Sequence, residues 1–449
     1  MEDKITMIEL FSGIGAQERA LRQVGIPYEI IATCDCDKDA VLSYASMRYN
    51  FKNEFDTYEF PSADEMIKEL QFKNIGYDFA KNKHTITSRT LGNKIKQYYL
   101  ADKLSKNLGD ISKVERLPYA DIVTYSFPCT DLSVAGKCEG MVNKCLCGYS
   151  WPIDFSNVNE SLTCPNCGAK VQSSTRSGLL GQVQRLLAVS KNENTLPKYL
   201  LLENVKNLVG KKFKPQFDAW AKWLDSIGYN TYYEVLNAKH YGIPQNRERI
   251  FALSIRKDID NGNFQFPEQV PLTTRLKDIL EKNVDEKYYL AGDKVESILS
   301  NFISRRNEAI GNVGGYSYLY AVKEDDDMNP IRICNIYGDQ FGTGYAGNVW
   351  DQDYVSPTIM TAQGGNRQPL IIDNIKWRIR KLTPKEYWRL MGFTDDDCDR
   401  ASKYVSNSAL YKQSGNSICT CCLVAIFNAL FLNDYTTSYK DKLVDYSKS

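Results

Sequence analysis

A short apolar run from Ile5 to Phe11 leads directly into Ser12-Gly13-Ile14-Gly15 and then into a helix-compatible stretch, Ala16 to Val24. That order of strand, glycine turn and helix is the opening of a nucleotide-type α/β unit. A second strand, Tyr28 to Cys34, ends in Asp35-Cys36-Asp37, and the stretch to Tyr49 again reads as helix. Further apolar runs at Asp121 to Tyr125, Tyr199 to Leu202 and Ile250 to Ile255 are each bordered by a helix-compatible segment. The economical fold is therefore α/β, with a doubly wound, mostly parallel sheet.

With 449 residues, 43% of them hydrophobic and 25% charged, the chain has room for one large α/β domain and one or two smaller parts. Lys plus Arg is 56 and Asp plus Glu 55, so the net charge is +1 and no global basic field attracts nucleic acid. Any polyanion site must be local. Met1 to Leu10 lacks the basic-then-apolar order of a signal peptide, and no apolar run reaches the roughly 18 residues of a membrane helix. The expectation is an intracellular, cytoplasmic protein without a membrane partner. Thirteen cysteines, an odd number, argue for reduced thiols, a metal site and a catalytic thiolate rather than a disulfide framework.

Three segments interrupt the α/β pattern. Residues 53–108 are polar, with Lys73, Lys81, Lys83, Arg89, Lys94, Lys96, Lys103 and Lys106, and read as an insertion whose helices present a solvated face. Residues 138–174 carry paired cysteines and aromatic residues without a helix period. Residues 258–365 turn rich in Asn, Gly and Asp, as expected of a recognition lobe.

Phe11 to Gly15 alone is a weak signal, because any tight strand-to-helix turn uses glycines. Asp35 one strand later, and Gly109-Asp110-Ile111 near the next expected strand end, raise its weight. Glycines let the backbone approach a ligand, while carboxylates accept from ribose hydroxyls and an adenine amino group. The turn lacks the Lys-Ser/Thr ending of a phosphate-binding loop, which disfavours ATP or GTP chemistry. Ser126-Phe127-Pro128-Cys129 then follows a strand directly, Glu203-Asn204-Val205 follows another, and Gln245-Asn246-Arg247-Glu248-Arg249 precedes a third. A lone cysteine is most often inert and buried. Here a thiol, an acid and an arginine pair are placed to converge on one sheet edge.

At this point the sequence resembles the cytosine-5 DNA methyltransferase family. The matching blocks, in the family's order, are Ile8 to Leu21, Asp35 with Ala40 and Tyr44, Gly109 to Ile111, Pro128-Cys129, Glu203 to Val205, Gln245 to Arg249, Arg380 to Phe393, and Gln413-Ser414-Gly415-Asn416-Ser417. The resemblance implies the class I S-adenosylmethionine-dependent methyltransferase fold with a smaller target-recognition domain. Its expected boundaries are a catalytic domain at 1–257, completed by 394–449, and a lobe at 258–393. The block from Arg380 to Phe393 is expected mainly to support that lobe.

The resemblance also implies roles. Cys129 would add to carbon 6 of a cytosine, making carbon 5 electron-rich enough to take a methyl from S-adenosylmethionine. Glu203 would serve ring nitrogen 3 with a carboxyl held near its protonated form by burial. Arg249 would hold the cytosine oxygen and orient Glu203, with Arg247 nearer a DNA backbone phosphate. No residue is assigned to removing the carbon 5 proton, and water is an alternative. The cofactor set is Phe11, Gly13, Gly15, Asp35, Asp110, Ile111, Pro128, Asn416 and Ser417. Asp35 stands where Glu is usual in the family, and Thr130 where Gln usually follows the nucleophile.

Cys145-Leu146-Cys147-Gly148 and Cys164-Pro165-Asn166-Cys167-Gly168 read as two knuckles of a zinc ribbon, the first one residue short, with Cys138 as a substitute ligand. His84 and His240, the only histidines, take the ordinary structural reading. The expected partner is duplex DNA. Basic residues at Lys206, Lys211, Lys212 and Lys214, and from Lys376 to Arg389, would build its local cleft. Methylation of an RNA cytosine is the alternative in the same chemistry, although the lobe, with Gly338 to Gly347 and Ser356-Pro357-Thr358, looks more like the DNA enzymes. A DNA-binding regulator without turnover is disfavoured by Cys129, Glu203 and Arg249 all being present. A bacterial or phage origin, with a cognate restriction endonuclease acting on the same site, fits the resemblance.

Overall fold

A computed structural model describes residues 4–90, 92–129, 132, 140–153, 155, 163–169, 173–174, 176–292, 295–298, 300, 328–337, 345–373 and 376–446. The expectations attached to Thr130, Cys138 and residues 338–344 lie outside these described residues.

The glycine turn joins β1 (Ile5–Leu10) to α1 (Ala16–Val24), and β2 (Tyr28–Cys34) leads to α2 (Lys38–Arg48). A small hairpin, β3 (Tyr77–Asp78) and β4 (Lys83–His84), precedes β5 (Ile122–Tyr125). The cysteine-rich segment forms its own sheet from β6 (Val142–Lys144), β7 (Ser150–Pro152) and β8 (Ser173–Ser174). The main sheet is completed by β9 (Tyr199–Val205), β10 (Tyr229–Asn237) and β11 (Glu248–Arg256), in the order β10-β11-β9-β5-β1-β2. Strands β2, β1, β5 and β9 pair in parallel, whereas β11 runs antiparallel to both β9 and β10. The run Ile250 to Ile255 is therefore the reversed member of a mostly parallel sheet. Its reversal follows from β10, an edge strand with scattered burial that apolar runs do not reveal. β10 and β11 are joined by the short connection 238–247, and a short connection between paired neighbours makes them antiparallel.

Alternate residues along each strand feed two cores, as a doubly wound sheet requires. Met7, Ile122, Leu201 and Leu253 face α1 and the helix Thr420–Leu432, whose side chains from Thr420 to Ala429 are all buried. Ile8, Val123, Leu200, Leu202 and Ile250 face helices Leu180–Asn192 and Lys214–Ile227, where Leu187, Phe217 and Trp220 are buried. Among the described residues no single helix is long and apolar enough to cross a membrane.

The 53–108 segment folds as helices Phe51–Thr57, Ala63–Phe72 and Gly92–Leu104 around Met66, Leu70, Ile75, Ile86 and Ile95, packed on Val41 and Leu42 of α2. Several of its lysines are paired rather than free: Lys73 reaches Asp102 at 2.7 Å, and Lys103 pairs with Glu69.

The lobe sheet runs β12-β13-β14-β15, from Arg332–Asn335, Asn348–Trp350, Leu370–Asp373 and Arg378–Lys381, around Val349, Leu370, Ile372 and Ile379. This sheet lies within the expected 258–393. Phe264, Val270, Leu276 and Ile279 on one side, and Tyr387, Trp388, Leu390, Met391 and Phe393 on the other, belong to the main core. Glu386 joins the two bodies. Fully buried, it takes a bidentate pair from Arg380 at 2.8 and 2.7 Å and accepts from the N–H groups of Thr383 and Glu281. The 380–393 block thus supports the lobe through Arg380 and the catalytic core through its aromatic residues.

Gly392 adopts φ +83°, and a Cβ there would lie 2.1 Å from Thr420 Oγ1. Gly392→Ala is expected to lower unfolding stability by at least about 2 kcal/mol, from left-handed strain plus overpacking. The readout is the denaturant midpoint, and an unchanged midpoint contradicts the packing described.

Candidate active site

The carboxyl edge of β1 and β2 holds one half of the site. Phe11 sits at φ +57°, and the Gly13 N–H donates to Asp35 Oδ2 at 2.8 Å. The other oxygen, Oδ1, accepts from the Asp37 N–H at 2.7 Å, so Asp35 ties the two strand ends together. Gly13, at φ +53°, has open space where a side chain would project. Gly15 is different, since its Cβ would lie 2.4 Å from the Tyr44 ring; this glycine serves packing as well as the turn. Asn107 holds Asp35 from behind, donating to its carbonyl and accepting from its N–H, each at 3.0 Å.

Asp110 does not follow a strand. It begins a short 3-10 turn with Ile111, its Oδ1 accepting from the Ser112 N–H at 2.9 Å and its Oδ2 from Asn74 Nδ2 at 2.7 Å. Asn74 comes from the 53–108 segment, a contribution that no sequence signal marked. From the far end of the chain, helix Asn407–Asn416 docks on this edge through Lys412 to Asp37 Oδ2 at 2.6 Å and Gln413 to the Asp39 carbonyl at 2.9 Å. Asn416 is exposed and Ser417 half-buried at the end of that helix. Burial and the Asp37 carboxylate push the Asp35 carboxyl up to about 6, while Lys412 pulls Asp37 below the usual carboxylate range.

The second half lies where β5 and β9 end and β11 begins. Because β11 is reversed, its first residues sit beside the last residues of β9, with Arg249 opposite Val205. Arg249 Nε lies 3.3 Å from Glu203 Oε1, and Ser126 donates its hydroxyl to Glu203 Oε2. Cys129 is half-buried. Burial raises its thiol pKa, Arg249 and Arg247 pull it back down, and Glu203 pushes it up, so all three expected partners act on the sulfur. The backbone around Cys129 is tied on both sides: Asn204 Nδ2 donates to the Phe127 carbonyl at 2.9 Å, Ser177 Oγ to the Pro128 carbonyl at 2.7 Å, and Asn207 Nδ2 to the Leu132 carbonyl at 2.6 Å. Ser126 and Asn204 adjoin the motif residues and could have been marked from sequence. Ser177 and Asn207 become partners only through the fold.

Arg247 departs from its expected place at a DNA phosphate. Its side chain is enclosed, at 3% exposure, and its terminal nitrogens donate to the carbonyls of Ile359, Gly415 and Ser417 at 3.4, 3.2 and 2.8 Å. Burial and the neighbouring Arg249 lower its pKa to about 10. The strand-entry position of Arg247 turns it inward among backbone carbonyls.

The cysteine-rich segment brings the Sγ atoms of Cys145, Cys147, Cys164 and Cys167 within 4.8 Å of one another. Cys145 and Cys167 are 3.5 Å apart and Cys147 and Cys164 3.7 Å, against an edge of about 3.8 Å for four sulfurs tetrahedral at the usual zinc–sulfur length. Each knuckle closes on a glycine with positive φ, Gly148 N–H donating to the Cys145 carbonyl at 3.0 Å and Gly168 N–H to the Cys164 carbonyl at 2.9 Å. The short first knuckle therefore still delivers both thiols. Hydrogen bonds from the Tyr149 N–H and the Asn166 amide draw the Cys147 thiol down to about 6.

Residues 67–145 and 166–432 match the model of the C-5 cytosine-specific DNA methylase family. The chain is 35% identical to the type II methyltransferase M2.ScrFI of Lactococcus lactis subsp. cremoris, over 95% of this chain and 99% of that protein. It is 30% identical to the orphan methyltransferase M.SssI of Spiroplasma monobiae and 29% identical to the orphan methyltransferase M.SPBetaI of Bacillus phage SPbeta, each over 95% of this chain and 97% of the relative. Among solved structures, a variant of Spodoptera frugiperda DNMT2 shares the fold, with a TM-score of 0.50 at 14% identity over 95% of this chain and 100% of that one. The chain belongs to the C-5 cytosine-specific DNA methylase family and is a DNA (cytosine-5-)-methyltransferase.

Proposed function

We propose that the protein transfers a methyl group from S-adenosylmethionine to carbon 5 of a cytosine rotated out of a specific duplex DNA sequence, through a covalent bond to Cys129. The observation that carries this reading is the meeting of Cys129, Glu203 and Arg249 at one sheet edge, beside a second edge shaped for a nucleoside.

The residues fit that cofactor. The open space at Gly13 would leave room for it beside the backbone, Asp35 would accept from the ribose hydroxyls, Asp110 would serve the adenine amino group, and the Asn416–Ser417 turn would hold the methionine end. Phe11, Ile111 and Pro128 provide apolar walls. When bound, S-adenosylmethionine supplies an electrophilic methyl.

Cys129 loses its thiol proton to solvent and the thiolate forms a carbon–sulfur bond at carbon 6, while Glu203 supports protonation at ring nitrogen 3 and the carbon 5–carbon 6 π pair moves to carbon 5. Burial favours the neutral thiol at rest, so the two arginines lower the cost of ionisation when the base arrives. Arg249 holds the cytosine oxygen and keeps Glu203 in place. After methyl transfer a base must take the carbon 5 proton, a step to which no residue is assigned and which water can serve; the double bond then reforms and the thiolate leaves. Rotating the base out costs a few kcal/mol, which the recognition lobe must recover through DNA contacts.

The four-cysteine cluster holds a structural zinc ion in this reading. Among the described residues, the apolar cluster around the cysteines is Cys145, Trp151, Cys164 and Ala169, too little to order the knuckles alone.

Four outcomes test the proposal. Labelled S-adenosylmethionine with unmethylated duplex DNA is expected to place label in 5-methyldeoxycytidine; label confined to RNA in a parallel reaction overturns the DNA assignment. Cys129→Ser should abolish transfer while S-adenosylhomocysteine and DNA still bind, and turnover in that variant removes Cys129 as nucleophile. Because Asp35 accepts as a carboxylate, S-adenosylhomocysteine affinity should fall as pH drops through about 6, approaching tenfold per unit, and Asp35→Asn should bind weakly without that slope. Metal analysis of untreated protein should find about one zinc per chain, reduced in Cys164→Ser; finding none in folded protein removes the metal.

A further inference from the structure

Gln245 and Arg247 hold both polar backbone groups of a single residue, Ile359, in the connection between β13 and β14 of the lobe sheet. The Ile359 N–H donates to Gln245 Oε1 at 3.1 Å, and the Ile359 carbonyl accepts from Arg247 Nη1 at 3.4 Å. The surrounding backbone is zipped in the same register: Asn246 N–H to the Ser356 carbonyl at 2.8 Å, Ser356 N–H to the Pro244 carbonyl at 2.8 Å, and Thr358 Oγ1 to the Asn246 carbonyl. Segment 356–359 therefore cannot shift without carrying 244–247 with it.

The other arm of the same guanidinium faces the cofactor edge. Arg247 Nη2 donates to the carbonyls of Gly415 and Ser417, which flank Asn416. Gly415 also sits against this β13–β14 connection, where a Cβ would lie 2.5 Å from the Met360 carbonyl carbon. A planar fork with fixed donor directions is thus bonded on one side to the connection between two lobe strands and on the other to the proposed cofactor turn. Two residues further on, Arg249 leads to Glu203. Among the described residues the Arg247 Nε has no partner, and the fork is held by these three carbonyls.

We propose that Arg247 is a positioning residue that couples DNA engagement by the recognition lobe to the turn at the methionine end of the cofactor, so that target DNA and cofactor tighten each other's binding. The inference rests on the proposed cofactor and DNA sites. It replaces a phosphate contact by Arg247 with an internal linkage, and linkage of this kind is reciprocal.

The test measures the dissociation constant of S-adenosylhomocysteine for the full-length protein, alone and with a linearised unmethylated plasmid duplex. Wild type is expected to bind at least about fivefold tighter with DNA present, the lower end of ordinary coupling. Arg247→Met should bring that ratio close to one, and Arg247→Lys should restore part of it, because an ammonium donates to carbonyls without spanning both sides. A role confined to stability would lower the melting temperature and leave the ratio intact. If Arg247→Met does not fold, Arg247→Lys and Gly415→Ala, which pushes the turn off Met360, are read in the same way. A wild-type ratio near one, or an unchanged ratio in the folded variants, overturns the coupling. S-adenosylhomocysteine donates no methyl, so a failure of methyl transfer to DNA counts against the reaction while the ratio remains readable.

Discussion

Reversal of β11 within an otherwise parallel neighbourhood is the constraint from which the active site follows. A parallel strand would present its last residues at the carboxyl edge and carry Gln245 to Arg249 to the opposite side of the sheet. Running antiparallel, β11 brings its first residues beside the end of β9, and Arg249 meets Glu203 across that pairing. The short β10–β11 connection enforces the reversal, since neighbouring strands joined this closely must run antiparallel. An arginine at the start of one strand and a glutamate near the end of another can then act on one thiol.

The chain leaves this frame and re-enters it, and the re-entry points are where buried polar groups concentrate. Gln245, Arg247, Arg380 and Glu386 are all at or below 3% exposure and all bind backbone or one another. Buried charge is costly unless fully bonded, so such groups permit one arrangement of the joined segments and penalise others. The lobe's small core of Val349, Leu370, Ile372 and Ile379 contributes little to fixing its orientation; the buried polar joints do that work. Lys412 and the buried Gln413 likewise seat helix Asn407–Asn416 on the edge after β2, from 375 and 374 residues away in sequence.

The cysteine-rich ribbon is anchored through apolar residues rather than through its cysteines. Met141, Ile153 and Phe155 are buried in the core shared with Trp220, and Gln184 and Gln216 donate to the Phe155 and Met141 carbonyls. Its knuckles stand outside that core, with Leu146 84% exposed. Base and tip thus differ in what surrounds them, apolar packing for one and the cluster of four thiols for the other.

Local chemistry was readable directly from the chain. Apolar runs marked β1, β2, β5 and β9, glycines marked the turn after β1, and the order of Cys129, Glu203 and Arg249 carried the family resemblance, because each signal lies within a few consecutive residues. The paired cysteines likewise announced a cluster despite the missing residue in the first knuckle. What the tertiary structure alone decided depends on contacts between distant segments: the reversal of β11, the unmarked edge strand β10, the inward turn of Arg247 and the Asn74 contact to Asp110. Strand direction is set by which neighbours pair, and a side chain's role by what lies opposite it. Neither quantity is encoded in local periodicity, so the residue types of the site belong to the sequence and their partners to the fold.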